Sequence, residues 1–221
     1  ERTHRTRATH PITVSLGRPP AAEVDAGTEI VLKVKASCPH GCDLRDRVID
    51  IIGPDGVVVG TSQLEEFVDN VNVTREVAFV APEEVGEYSW NVVFAKHHDE
   101  DDVHGEGVLP ITVRTLAHDT SLAVWSVPSP IVIDHPLRIQ VGATCSAGCN
   151  LSGKEIHIFD ETGASIAHAT LGATPWEGTR ALYWTDVDLV APGKEGSTSR
   201  SITFAPTELR LPHGGGSARF G

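Results

Sequence analysis

The chain has 221 residues, no methionine, 18 Lys and Arg against 30 Asp and Glu, and a formal net charge of −12 at pH 7. So acidic a chain excludes a nucleic-acid partner, because phosphates select basic surfaces, and no run approaches the roughly 18 apolar residues of a membrane-inserted helix. Hydrophobic residues at 40% and charged residues at 22% suit a globular protein, long enough for two domains of about 100 residues, each with its own core.

Residues 1–10 open with Glu1, Arg2, Arg5 and Arg7 rather than a signal-peptide pattern, and read as a flexible tail. Strands are then predicted at Ile12 to Leu16, Thr28 to Ser37 and Val48 to Ile52. The last is closed by Gly53-Pro54-Asp55-Gly56, whose Pro and Gly suit a tight turn. Further strands follow at Val57 to Thr61, Thr74 to Val80, Glu87 to Ala95 and Val108 to Arg114. From residue 118 the series restarts: Leu122 to Trp125, Leu137 to Thr144, Glu155 to Phe159, a turn at Asp160 to Gly163, then Ala181 to Val190 and Thr198 to Ala205. Short alternating strands with turns every 8 to 12 residues, and no amphipathic helix in either half, predict an all-β chain of sandwich type.

The second series is a copy of the first. Ile30, Leu32, Val34 and Ala36 alternate with polar positions and run into Cys38-Pro-His-Gly-Cys42-Asp-Leu44. At a constant offset of 107, Leu137, Ile139, Val141 and Ala143 run into Cys145-Ser-Ala-Gly-Cys149-Asn-Leu151. A period-2 pattern repeated with its ending means one β unit written twice. Domain boundaries are expected at 11–117 and 118–221, joined by the short His118-Asp-Thr120. His104-Gly105 matches His213-Gly214, so the second copy's last strand is expected to be cut short, and the chain to be a piece of a longer protein.

Within the first copy, Glu84-Val-Gly86-Glu-Tyr88-Ser-Trp90 resembles the D-x-G-x-Y-x-C stretch at a corner of immunoglobulin-like domains, where a tyrosine hydroxyl ties a strand to the preceding corner. The whole pattern is similar to the tandem immunoglobulin-like (Ig-like or fibronectin III-like) modules of exported bacterial multi-domain proteins. The resemblance implies two antiparallel β-sandwiches with the Tyr88 hydroxyl bonded to its own corner. Trp90 stands where the family's second cysteine would be and is expected to fill that core space. The second copy keeps Gly196 but carries Thr198 and Arg200 in the Tyr and Trp places.

Three readings of the cysteines stand open. The first, taken as the expectation, is a disulfide in each copy, Cys38 with Cys42 and Cys145 with Cys149, aided by the glycines before the second cysteines, Gly41 and Gly148. Such bonds would place the protein outside the cytosol: extracellular, periplasmic or on the cell surface. The second is one four-cysteine zinc site, which needs the loops of both copies to meet. The third is free or redox-active thiols.

The chemically richest stretch is Lys96 to Glu106. His97, His98 and His104 with Asp99 and Asp101 make a candidate set for a divalent metal, against a simple solvated acidic loop. Trp176, in Thr174-Pro-Trp-Glu-Gly178, is a candidate ligand-contacting residue, because sugars stack on exposed indoles; Trp125 and Trp184 invite the same reading, against an aromatic cap on a sandwich end. Asn72-Val-Thr74 and Asn150-Leu-Ser152 match the glycosylation pattern. No nucleophile elbow, phosphate-binding loop, dinucleotide fingerprint or H-E-x-x-H occurs. The expected function is a non-catalytic pair of spacer or protein-interaction modules, with no catalytic residue and no cofactor beyond a divalent metal. Its partner would be another protein or neighbouring domains of the same chain. The alternatives are recognition of a glycan or metal through inter-strand loops, and accessory domains flanking an enzyme.

Overall fold

The structure, a computed structural model, describes residues 8–99, 102–206 and 209–221 and divides into two compact units between Leu116 and Ala117. The described residues form strands and turns and no helix. In the first unit the strands are β1 (Ala8–His10), β2 (Thr13–Arg18), β3 (Glu23–Asp25), β4 (Glu29–Ser37), β5 (Val48–Ile52), β6 (Val58–Val68), β7 (Val71–Val80), β8 (Gly86–Phe94), β9 (His97–His98), β10 (Asp102–His104) and β11 (Gly107–Leu116). In the second they are β12 (Thr120–Trp125), β13 (Pro136–Cys145), β14 (Glu155–Phe159), β15 (Ser165–Thr170), β16 (Tyr183–Val190), β17 (Arg200–Phe204) and β18 (Gly216–Phe220).

The first unit is an Ig-like sandwich whose layers are joined through one strand. The order is β2-β4-β7-β6-β5-β8-β11-β3. β6 pairs with β5 from Val58 to Gln63 and with β7 from Leu64 to Val68, so it passes from one layer to the other at its midpoint. Alternation decides what lies between the layers. Ile30, Leu32, Val34 and Ala36 of β4 are buried and meet Ile49, Ile51, Trp90, Val92 and Phe94 of the opposite layer, as period-2 patterning requires. Asn72 is also fully buried: Leu44 N–H donates to its Oδ1 at 2.8 Å, and its amide nitrogen donates to the Cys42 carbonyl at 3.0 Å. The side chain is therefore a clamp on the cysteine loop and lies out of reach as a glycan acceptor.

The tyrosine corner forms. Tyr88 O–H donates to the Glu84 carbonyl at 3.2 Å. Trp90 is 2% exposed and packs against Phe79 with ring centroids 5.3 Å apart, filling a core position.

The second unit is built of two antiparallel sheets, β12-β13-β16 and β15-β14-β17-β18. Leu137, Ile139, Val141 and Ala143 of β13 pack with Ile156, Ile158, Val187, Leu189, Ile202 and Phe204. Where the first copy has Trp90, Arg200 is buried and donates to the Val190 carbonyl at 2.9 Å. The final strand β18 has five residues where its counterpart β11 has ten.

Several short strands escape the sequence pattern. Residues 8–10, read as part of the tail, form β1 and pair in parallel with β10, His10 opposite His104. A three-residue strand has too few positions to show a period. β15 also escapes, since its alternation of Ala and exposed residues carries little hydrophobic contrast.

Candidate metal centre

Each unit gathers histidine and cysteine at one pole. In the second unit Cys145 closes β13, and a tight turn follows in which Gly148 N–H donates to the Cys145 carbonyl at 3.0 Å. Gly148 takes φ +70°, a conformation that glycine adopts without the Cβ penalty, and this brings Cys149 back beside Cys145. The first unit repeats the turn: Gly41 N–H donates to the Cys38 carbonyl at 2.9 Å, and Gly41 has φ +69°.

The histidines reach the cysteines from other parts of the chain. His118 stands before β12 and His213 before β18, and the two are bridged in parallel, with Gly214 N–H donating to the His118 carbonyl at 2.8 Å. The first unit does the same with His10 and His104, and Gly105 N–H donates to the His10 carbonyl at 2.8 Å. His118 Nδ1 lies 3.0 Å from Cys149 Sγ and 3.4 Å from Cys145 Sγ, and His213 Nε2 lies 3.4 Å from Cys145 Sγ. One donor atom from each of His118, Cys145, Cys149 and His213 falls within 4.8 Å of every other. His118 is 1% and Cys145 4% exposed. In the first unit His10, Cys42 and His104 form the matching group, with His10 Nδ1 3.2 Å from Cys42 Sγ.

The two cysteine pairs differ in state. Cys38 and Cys42 stand at disulfide distance, whereas Cys145 and Cys149 are not bonded to each other, unlike the expectation of a disulfide in each copy. Both pairs sit on the same turn, with the same hydrogen bond and a positive-φ glycine before the second cysteine.

The histidine and aspartate set read from residues 97–104 is distributed differently. Asp99 is occupied by its neighbours: Arg47 donates to its Oδ1, His97 Nε2 lies 2.9 Å from the same oxygen, and His104 Nδ1 lies 3.2 Å from its Oδ2. The last contact has ion-pair distance without hydrogen-bond alignment. His98 is exposed, and Asp101 lies outside the described residues. His104 therefore belongs to the cysteine pole, with Asp99 supporting it from behind. Sequence reading missed His10, His118 and His213 as partners of the cysteines. The signal was present: His10 and His118 recur at an offset of 108, and His104 and His213 at 109, flanking cysteines that recur at 107. Treating the cysteines apart from the repeat's histidines hid it.

Trp176 does not stand alone. It lies edge-on to Trp125 and to Trp184, with centroids 5.1 and 4.8 Å away, and all three rings are half-buried. The Trp125 ring lies against Gly142 of β13.

No family model and no curated protein sequence matches the chain. Among solved structures, the chain is similar to the BSP domain of a biofilm-associated protein (16% identity, 92% of this chain and 29% of that one, TM-score 0.27). It is also similar to red sea bream transglutaminase (13%, 98% and 31%, 0.36) and to the Yersinia pseudotuberculosis adhesin InvE (9%, 94% and 57%, 0.32). The chain spans less than a third of the first two proteins. At these identities and scores none of them bears on function.

Proposed function

We propose that this chain is a pair of non-catalytic Ig-like modules of an exported or surface protein, acting as a spacer or as a surface for a protein partner. The observation that carries the reading is the duplication of the histidine and cysteine pole. The same residue types, buried or half-buried, stand at matching places in both copies, joining the start, a middle loop and the last connection of each module. Groups that hold a fold together recur whenever the fold is copied, whereas a reactive centre must also be open to substrate. Other polar groups are engaged in the same way. Asp188 is held by Arg138 across the sheet at 2.7 Å, Asp160 caps its own turn, and Arg200 serves a backbone carbonyl. For a partner, β15 lies at an edge of its sheet with Ile166 exposed, a place where an extended segment could add as a further strand.

Two measurements test this. Antibodies against the chain should label intact source cells; labelling that requires permeabilised cells overturns the surface assignment. The purified chain should give no turnover on ester, peptide and glycoside substrates above that of a heat-unfolded sample, and reproducible turnover overturns the non-catalytic assignment.

A further inference from the structure

We propose that each unit is built to bind one zinc ion through two cysteines and two histidines: His118, Cys145, Cys149 and His213 in the second, and His10, Cys38, Cys42 and His104 in the first.

The second unit carries the argument. Donors bonded at 2.0 to 2.3 Å to a tetrahedral ion lie about 3.3 to 3.8 Å from one another. The three His–Cys separations of 3.0, 3.4 and 3.4 Å approach that spacing, with the whole set inside 4.8 Å. Two thiols and two imidazoles are the donors that zinc prefers over hard cations, and four protein donors make a closed site of structural kind. The supporting contacts point the same way. His213 Nδ1 lies 2.7 Å from the Leu211 carbonyl, which keeps the proton on that nitrogen and leaves Nε2 bare toward the sulfurs.

In the first unit three of the four donors, His10, Cys42 and His104, are already gathered, and Cys38 is bonded to Cys42. His10, like His118, turns Nδ1 toward sulfur. Its Nε2 lies 3.7 Å from Asp102 Oδ1. His104, like His213, has Nδ1 beside an oxygen, here Asp99 Oδ2 at 3.2 Å. Cys38 and Cys42 must first be reduced. A thiol or phosphine reductant delivers two electrons, breaks the S–S bond and leaves two thiols, whose protons pass to solvent as zinc–sulfur bonds form. The second unit, already in thiol form, needs no such step. Zinc there would tie together chain segments at 118, 145–149 and 213, which are far apart in sequence.

The test uses the full chain, supplied with zinc, freed of loosely held metal on a weak chelating resin, and analysed by native mass spectrometry with metal quantification. Expected are one zinc per chain without reductant and two after phosphine treatment. His118→Ala with His213→Ala should lower either count by one, with affinity for that ion down by roughly 100-fold or more, beyond the loss from a supporting partner alone. His10→Ala with His104→Ala should remove only the ion gained on reduction. Because a variant could unfold, Co2+ on the unaltered chain gives a second readout: visible bands of tetrahedral form with thiolate charge transfer. No retained zinc in the unaltered chain, counts unmoved by the histidine changes, or an octahedral cobalt spectrum would each overturn the proposal.

Discussion

Leu44 N–H points at Asn72 Oδ1 from 2.8 Å, although the two residues are 28 positions apart and both are buried. The same amide holds the Cys42 carbonyl at 3.0 Å, so one side chain on β7 fixes the exit of the cysteine turn. Replacing Asn72 by Ala leaves a buried donor and a buried acceptor without partners. The expected cost is about 2–4 kcal/mol, read as a lower urea midpoint, with the Leu44 amide losing hydrogen-exchange protection ahead of the β4 core. Unchanged Leu44 protection would refute the clamp.

Tyr88→Phe removes only the hydroxyl that reaches the Glu84 carbonyl. Since this bond is solvent-exposed, the expected destabilisation is about 0.5–1.5 kcal/mol. Trp90→Ala, in contrast, empties a packed site beside Phe79, and about 3–5 kcal/mol is expected. Denaturation of both variants should give that order; a larger effect from the tyrosine would mean that the corner, and not the indole, anchors the layer.

Gly142 lies against the Trp125 ring. A Cβ there would lie 3.0 Å from Leu182 Cδ1, 3.0 Å from the Tyr183 carbonyl oxygen and 3.1 Å from the Trp125 ring. Gly142→Ala should cost about 1–3 kcal/mol by overpacking and shift the tryptophan emission of the native state. A neutral result would show that the indoles pack loosely enough to yield.

Asp188 has its carboxyl held below the usual aspartate range, first by the hydrogen bond from Arg138 and then by that guanidinium's charge. A lowered folded-state value means the pair's contribution is present above the unfolded aspartate pKa and fades as pH falls through the folded one. Asp188→Asn should therefore lower stability slightly at neutral pH and leave it unchanged at strongly acid pH, flattening the limb between, and the effect is small because the pair is exposed. Carboxyl titration by NMR checks the direction; a normal or raised Asp188 value would refute it.

Much of this architecture can be read from residue order. The alternation in Ile30 to Ala36 and Leu137 to Ala143 faces the core as written, because nothing in a half-buried strand competes with period-2 burial. β5 and β14 appear with the bounds expected. What could not be read was local structure too short to carry a period, and chemistry assembled over distance. β1 exists because β10 offers it a partner. His10 and His104 are 94 positions apart and become neighbours only through that pairing. Of the acidic run, Asp99 is engaged by Arg47 and His97, while His104 joins the cysteine pole.

The passage of β6 from one layer to the other has a mechanical corollary. Because β6 pairs with β5 up to Gln63 and with β7 from Leu64, whose own N–H and carbonyl still bond to Arg47 and Asp46, a slip of one position along this strand would misalign both faces of the first unit together. Neither layer can peel away while the other stays seated, so a pulling force or a deletion near residue 64 should be met by an all-or-none response.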